Sequence, residues 1–273
     1  MLKRYLCLVL AVVMLLCMAG CRKRVAAPTE EPTLTFETTE ATTEPTTEPT
    51  TEPTTEPTTE PTTEPTEAEL VLHSGLREDG SFSEGTLFIG DSLTYNFTGS
   101  YLPENNLLGD ARYTTQCGSQ LTVFFGTTKL EYNGQMMTRY SEEFQGMEFD
   151  EAAASFGDKA EAIYIMWGTN YTPNATKDDY IAIIDFLLEN CPNATIHMQT
   201  IPYGDNIACK TVNERINGAF AHYQEAGEPR VFLIDTFTAI GNHTVDGVHL
   251  NVTGNANWYQ AIVAHAQEHN LSE

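Results

Sequence analysis

From Thr42 to Pro65 the chain repeats Thr-Thr-Glu-Pro six times, and this repeat sets where folding can occur. A proline at every fourth position removes backbone N–H donors that a helix or an inner strand needs. The repeat also has no apolar side chain to bury, so nothing there offsets the entropy of ordering it. Residues 22–69 therefore read as a disordered Thr/Glu/Pro linker, kept extended by proline and by repulsion between glutamates. At about 3.1 Å per residue such a segment reaches up to roughly 150 Å. Folding is confined to residues 70–273, a length of about 200 residues that buries a core without disulfide staples.

The other end of the linker reads as a targeting segment, residues 1–21. Lys3 and Arg4 precede an apolar stretch from Tyr5 to Met18, followed by Ala19-Gly20-Cys21. A basic start, a short apolar run and small residues at a cleavage point describe a secretory signal. The run Met18-Ala19-Gly20-Cys21 resembles a bacterial lipobox, which implies lipidation of Cys21 and a lipoprotein on the outer face of the cell membrane. The competing readings are an uncleaved anchor and an ordinary signal peptide. Arg22-Lys23-Arg24 just past the apolar run complicates the lipoprotein reading, because such residues favour the cytoplasmic side.

The net charge of -24 is not all in the linker. Residues 1–69 hold 12 acidic side chains, and the remainder still carries 26 Asp and Glu against 9 Lys and Arg. An acidic globular part argues against nucleic acid as a partner. Cys117, Cys191 and Cys209 have no metal-ligand spacing. A Cys191–Cys209 disulfide and three free thiols both remain open.

Beyond residue 69 short apolar runs alternate with helix-like segments. Thr86–Ile89, Ala162–Met166, Thr195–Thr200 and Val231–Asp235 read as strands. Helices are expected over Lys177–Glu189, from about Lys210 to Glu225, and from about Asn251 to His269. Alternation of this kind predicts an α/β fold with a parallel sheet covered on both faces. Leu130–Met137 reads as a hairpin turning at Asn133-Gly134.

Ligands of such a sheet bind outside the carboxyl ends of its strands. Gly90-Asp91-Ser92, Gly168-Thr169-Asn170, Ile201-Pro202-Tyr203 and the segment leading to Asp246 and His249 stand there. Ser92 needs a base to become a nucleophile, although Asp-Ser is also an ordinary helix cap. His249 can take its proton, and Asp246, three residues earlier, can orient the imidazole. The bland alternative for His249 is a helix-entry residue beside the caps Asn251 and Thr253. An attacked ester carbonyl needs fixed donors for its negative charge. Candidates are the Asn170 amide, the Gly118 backbone N–H and the Ser92 N–H.

Gly90-Asp91-Ser92-Leu93, Gly118, Gly168-Thr169-Asn170 and Asp246-Gly247-Val248-His249 together resemble the four ordered blocks of the SGNH (GDSL-type) hydrolases, over about residues 85–270. That resemblance implies a flavodoxin-like three-layer α/β/α sandwich with no metal or cofactor. It also implies Ser92, Asp246 and His249 as the catalytic residues, with Ser92, Gly118 and Asn170 as oxyanion hole. Two departures stand out. Tyr171 follows Asn170 where the family often has Asp, and the loose pattern around Gly118 leaves Gly109 and Gly126 as substitutes.

The expected activity is hydrolysis of an O-acyl ester, acetyl or another short chain, on an acylated carbohydrate. Tyr95, Trp167, Tyr171 and Tyr203 lie near the proposed edge and offer rings for stacking on sugar, or simply for packing. A lipase, lysophospholipase or thioesterase is the second enzymatic reading, though no long apolar insertion is present to line its groove. A non-catalytic cell-surface binding module is the third, and an intact Ser92, Asp246 and His249 count against it.

Overall fold

The computed structural model describes residues 70–126, 131–132, 135–170, 172–202 and 207–273. The targeting segment with Cys21, the linker, the Asn133-Gly134 turn, Tyr171 and Tyr203 lie outside the described residues.

The four predicted strands are present as β1 (Thr86–Gly90), β6 (Ala162–Met166), β7 (Thr195–Gln199) and β8 (Val231–Ile234). Two more join them, β2 (Arg112–Gln116) and β5 (Thr138–Tyr140). The six form one sheet in the order β5-β2-β1-β6-β7-β8. All neighbours are parallel except β5, which runs antiparallel along the outer edge of β2. Counting only the parallel strands, the order is the flavodoxin-like 2-1-3-4-5. A two-residue pairing of β3 (Glu131–Tyr132) with β4 (Gln135–Met136) supplies the anticipated hairpin.

The expected three-layer α/β/α sandwich is thus observed, and its layers follow from the alternation of side chains along each strand. One face carries a row of rings in register across four strands: Phe88, Tyr164, His197 and Phe232. Successive centroids lie 5.2, 4.5 and 5.9 Å apart. After the short helix α6 (Thr236–Ile240), the helix α7 (Val252–Glu268) covers this row with His265, and its Trp258 stacks on Phe97. The other face presents Ile165 and Met198, which meet Tyr180 and Ile184 of α4 (Lys177–Asn190) and Ile216 of α5 (Ile207–Ala226). Every residue of β1, β6 and β7 is buried, as a sheet covered on both sides requires.

Among the helices that the sequence pattern did not announce, α3 (Phe149–Phe156) closes its own first turn with a capping box between Glu148 and Glu151. The other begins at the proposed nucleophile. It comprises α1 (Ser92–Asn96), a π turn (Phe97–Tyr101) and α2 (Leu102–Glu104). Gly99, Ser100 and Pro103 disguise it, because each is a poor interior residue for a helix. Phe97 nevertheless anchors it, stacking on Trp258 of α7 with ring centroids 4.0 Å apart.

Cys191 and Cys209 are both buried thiols. Each sits against a backbone carbonyl, Ala153 and Ile201 respectively. No disulfide joins them.

Candidate active site

In a 2-1-3-4-5 sheet the strand order reverses between β1 and β6, and a crevice opens above their carboxyl ends. β1 ends at Gly90 and β6 at Met166, which are register partners. A Cβ on Gly90 would stand 2.2 Å from the Met166 carbonyl oxygen, so only glycine lets the two strands close here. The next residues, Asp91 and Ser92, therefore follow directly at the carboxyl end of β1.

Asp91 is the residue of the candidate site that sequence reasoning passed over. It is fully buried and makes four contacts, all with donors. Oδ1 accepts from the Leu93 N–H at 3.2 Å, capping α1. Oδ2 accepts from the Gly168 N–H at 3.1 Å, the Thr169 N–H at 2.9 Å and the Thr169 hydroxyl. Burial raises the pKa of this carboxyl, and the four donors pull it back toward the charged form. With every partner a donor, the ionised carboxylate is the form this site accommodates. One side chain thereby ties the start of the nucleophile helix to the loop that carries Asn170. A sequence signal existed: an acidic residue at a helix N-cap just after a buried strand. Asp91→Asn replaces one acceptor oxygen by a donor among these groups. It is expected to lower kcat on an aryl ester by up to about 100-fold through misplacement of Asn170. Steady-state kinetics check this, and an unchanged kcat would show that the loop is placed by other contacts.

The Gly118 and Asn170 segments also meet. Ser119 offers its carbonyl to the Asn170 amide at 3.0 Å and to the Trp167 indole at 3.4 Å. One amide hydrogen of Asn170 is thus committed, which orients the group and leaves the second hydrogen to donate elsewhere. Gly118 lies two residues past the carboxyl end of β2 with φ 74°. Gly109 precedes β2, at the opposite end of the strand, and packs on the Phe82 backbone. Its position removes it as a substitute for Gly118. Gly126 is the last described residue before a gap.

Trp167 takes the packing role, one of the two readings left open for it. It is buried against Phe149 and Phe124, so its ring is core and its N–H steadies the Ser119 turn. Stacking on a sugar is excluded for it. The Tyr95 ring is covered by the Arg139 guanidinium at 4.2 Å.

Asp246 and His249 form a self-contained unit on a loop closed by a bridge between Thr244 and Leu250. Asp246 Oδ1 accepts from the backbone N–H groups of Val248 at 3.0 Å and His249 at 2.8 Å. Its Oδ2 lies 2.8 Å from His249 Nδ1. The histidine contact first, then the two backbone N–H groups, hold this carboxyl well below the usual carboxylate range. It stays charged, fixes Nδ1 as the protonated nitrogen and leaves Nε2 as acceptor. Asn251 caps α7 with its side chain on the Gly254 N–H at 3.0 Å, so His249 itself is free of that duty.

Ser92 is 5% exposed, less open than a free sheet edge suggests. Among the described residues its hydroxyl has no hydrogen-bond partner, and none is recorded with His249. Phe97, on the helix run that Ser92 begins, stacks on Trp258 of α7, the helix that follows the His249 loop, without a direct contact between the serine and the histidine. Such contacts commonly tighten only when substrate is bound. Among the described residues no three His, Cys, Asp or Glu side chains gather as a metal site would require.

No protein-family model matches the chain, and no curated protein does. Solved structures do. A family two carbohydrate esterase from Clostridium thermocellum, in complex with cellohexaose, is 16% identical with a TM-score of 0.47. That match covers 68% of this chain and 64% of the esterase, so this chain spans less than two thirds of its length. The catalytic domain of peptidoglycan O-acetyltransferase A from Streptococcus pneumoniae is 18% identical with a TM-score of 0.44, over 69% of this chain and 98% of that one. An acetyl xylan esterase, AlAXEase, is 15% identical with a TM-score of 0.43, over 66% and 98%.

Proposed function

We propose that this chain is a serine hydrolase that cleaves O-acyl esters, with Ser92 as nucleophile, His249 as base and Asp246 as the group that orients it. The observation that carries the reading is the Asp246–His249 pair. Asp246 spends one oxygen on its own loop and the other on His249 Nδ1. That arrangement leaves Nε2 as the ring nitrogen turned away from Asp246, the one a serine base uses.

In the cycle we infer, the Ser92 hydroxyl proton passes to His249 Nε2 as Ser92 Oγ attacks the ester carbonyl. The resulting oxyanion is met by the Ser92 N–H, the Gly118 N–H and the uncommitted hydrogen of the Asn170 amide. Collapse breaks the bond to the alcohol oxygen, which takes the proton from His249, and an acyl-Ser92 ester remains. Water then gives its proton to His249 and attacks this ester, releasing the acid and restoring Ser92. An acceptor hydroxyl in place of water would make the same residues an acyltransferase. The substrate within this reading is a short acyl group, acetyl above all, on a carbohydrate.

A fluorophosphonate probe tests the proposal. The expected result is one adduct per folded chain, at Ser92, lost in His249→Ala. Folded protein that stays unlabelled would point instead to a binding module that keeps the fold.

A further inference from the structure

Residues 70–273 contain five arginines, and three of them are paired with carboxylates. Arg77 meets Asp110, Arg112 meets Glu143, and Arg230 meets Glu228. Arg139 is held differently. It stands on β5 opposite Thr115 of β2. Its Nη1 donates to the Tyr95 carbonyl at 3.2 Å, and its guanidinium lies 4.2 Å from the Tyr95 ring centroid.

The nucleophile helix is shaped to receive it. A Cβ on Gly99 would stand 0.8 Å from Arg139 Nη1 and 2.0 Å from Cζ, so the guanidinium occupies the place of a side chain there. Gly99 belongs to the π turn Phe97–Tyr101, and π turns within α-helices are frequent at functional sites. The location matters as much as the fit. Tyr95 is three residues beyond Ser92, and Cys117 adjoins Gly118. β5 also runs beside the segment that leads into the Gly118 turn: Thr138 is the register partner of Gln116, and the Cys117 N–H donates to the Met137 carbonyl at 2.8 Å.

Among the described residues Arg139 has no carboxylate partner, although this part of the chain carries 26 acidic side chains against 9 basic ones. Nη1 is the only one of its nitrogens with a hydrogen-bond partner there. The group is half-buried, held rigidly by a carbonyl, a ring and the Gly99 gap, with donors to spare. A planar fork of this kind binds a carboxylate better than any other common anion-binding side chain.

Resting on the esterase reading above, we propose that Arg139 is a specificity-determining residue that binds a carboxylate on the substrate. The preferred esters are then those that carry such a group near the acylated oxygen or on the acyl chain. The net negative charge of residues 70–273, 26 acidic against 9 basic side chains, makes this selection sharper, because it repels anions that Arg139 does not capture.

The test compares kcat/KM for 4-acetoxybenzoate, its neutral methyl ester, and monophenyl succinate, in wild type, Arg139→Met and Arg139→Lys. The first and third carry the carboxylate on the alcohol part and on the acyl part, and so locate it. We expect wild type to favour one of the two anionic esters over the neutral one. In Arg139→Met that preference is expected to fall about tenfold, mainly through KM, as for loss of one charge-assisted contact. Arg139→Lys should restore part of it. If Arg139 serves only to pack the π turn, its loss slows all three esters alike and the ratio stands, which overturns the inference. Wild type alone gives a second reading should Arg139→Met fail to fold. Raising salt from about 50 to 500 mM must then weaken the preferred anionic ester relative to the neutral one, and an unmoved ratio overturns the inference. Absence of any Ser92-dependent hydrolysis of the neutral ester would overturn the esterase reading itself, and the inference with it.

Discussion

Ser92→Ala is expected to lose about a million-fold in kcat on a short-chain aryl ester, and His249→Ala about as much. The two act as one unit, because a serine without its base and a base without its serine are equally idle. The double variant should therefore be no slower than either single one. What survives in all three is the rate that the oxyanion donors and substrate binding supply by themselves, roughly 10³–10⁴ over water. The Ser92 hydroxyl has no hydrogen-bond partner among the described residues, so its removal should leave the thermal midpoint in place. A fall in both activity and midpoint would mean that Ser92 is structural. Equal rates in wild type and Ser92→Ala would exclude the proposed mechanism outright.

The second large effect concerns stability in acid. His197 is fully buried in the ring row and donates from Nε2 to the His73 carbonyl at 2.9 Å. Its Nδ1 is buried without a partner. Tyr164, Phe232, His265 and His269 surround it, so burial first, and then the charge of protonated His265, pushes its pKa down to about 3. His265 is pushed down to about 4 by burial and by His269. Both histidines start from an ordinary value of 6.5 in the unfolded chain. Between that value and the folded ones, the unfolded state holds more protons than the folded state.

Stability is therefore complete above about pH 6.5 and is lost as pH falls from there toward 4 and 3. The slope approaches about 1.4 kcal/mol per pH unit for each histidine that must stay neutral. Carboxylates of ordinary pKa protonate lower down, so apart from buried Asp91, whose pKa is raised, the interval from about pH 6.5 to 5 reports on the histidines. Urea melts across this interval should show unfolding coupled to uptake of one to two protons. In His197→Phe the coupling should drop by about one proton, with a cost at neutral pH of about 1 kcal/mol for the lost hydrogen bond to His73. An unchanged slope in that variant would show that His197 is not the group responsible.

Particular elements show why the sequence was readable in some places and mute in others. β1, β6, β7 and β8 were legible because strands buried on both faces read as continuous apolar runs. β2, Arg-Tyr-Thr-Thr-Gln, was not. It lies next to the sheet edge, and its polar side chains are satisfied by neighbours such as the Arg139 carbonyl on the Thr115 hydroxyl. β5 is an edge strand of three residues whose pairing is long-range. The helix at Ser92 was hidden by Gly99, which is poor for helix propensity and needed for the close approach of Arg139. Trp167 was legible as an aromatic near the site, but its direction into the core was not.

The chemistry-bearing groups and their local geometry were set by sequence alone. Asp246 and His249 are three residues apart on one turn, and Asp91 caps the helix that Ser92 begins, so short-range contacts hold each pair. What only tertiary structure decided is their convergence. Ser92, Gly118, Asn170 and His249 lie on separate segments. The Ser92, Gly118 and Asn170 segments meet because the strand order reverses between β1 and β6, and Phe97 packing on Trp258 ties the helix that Ser92 begins to the helix that follows His249. The same holds for Asp91 reaching the Thr169 loop and for Arg139 reaching Gly99. A local pattern can specify which groups a turn presents. Which turns face one another depends on packing between residues tens of positions apart, and that is a property of the folded chain.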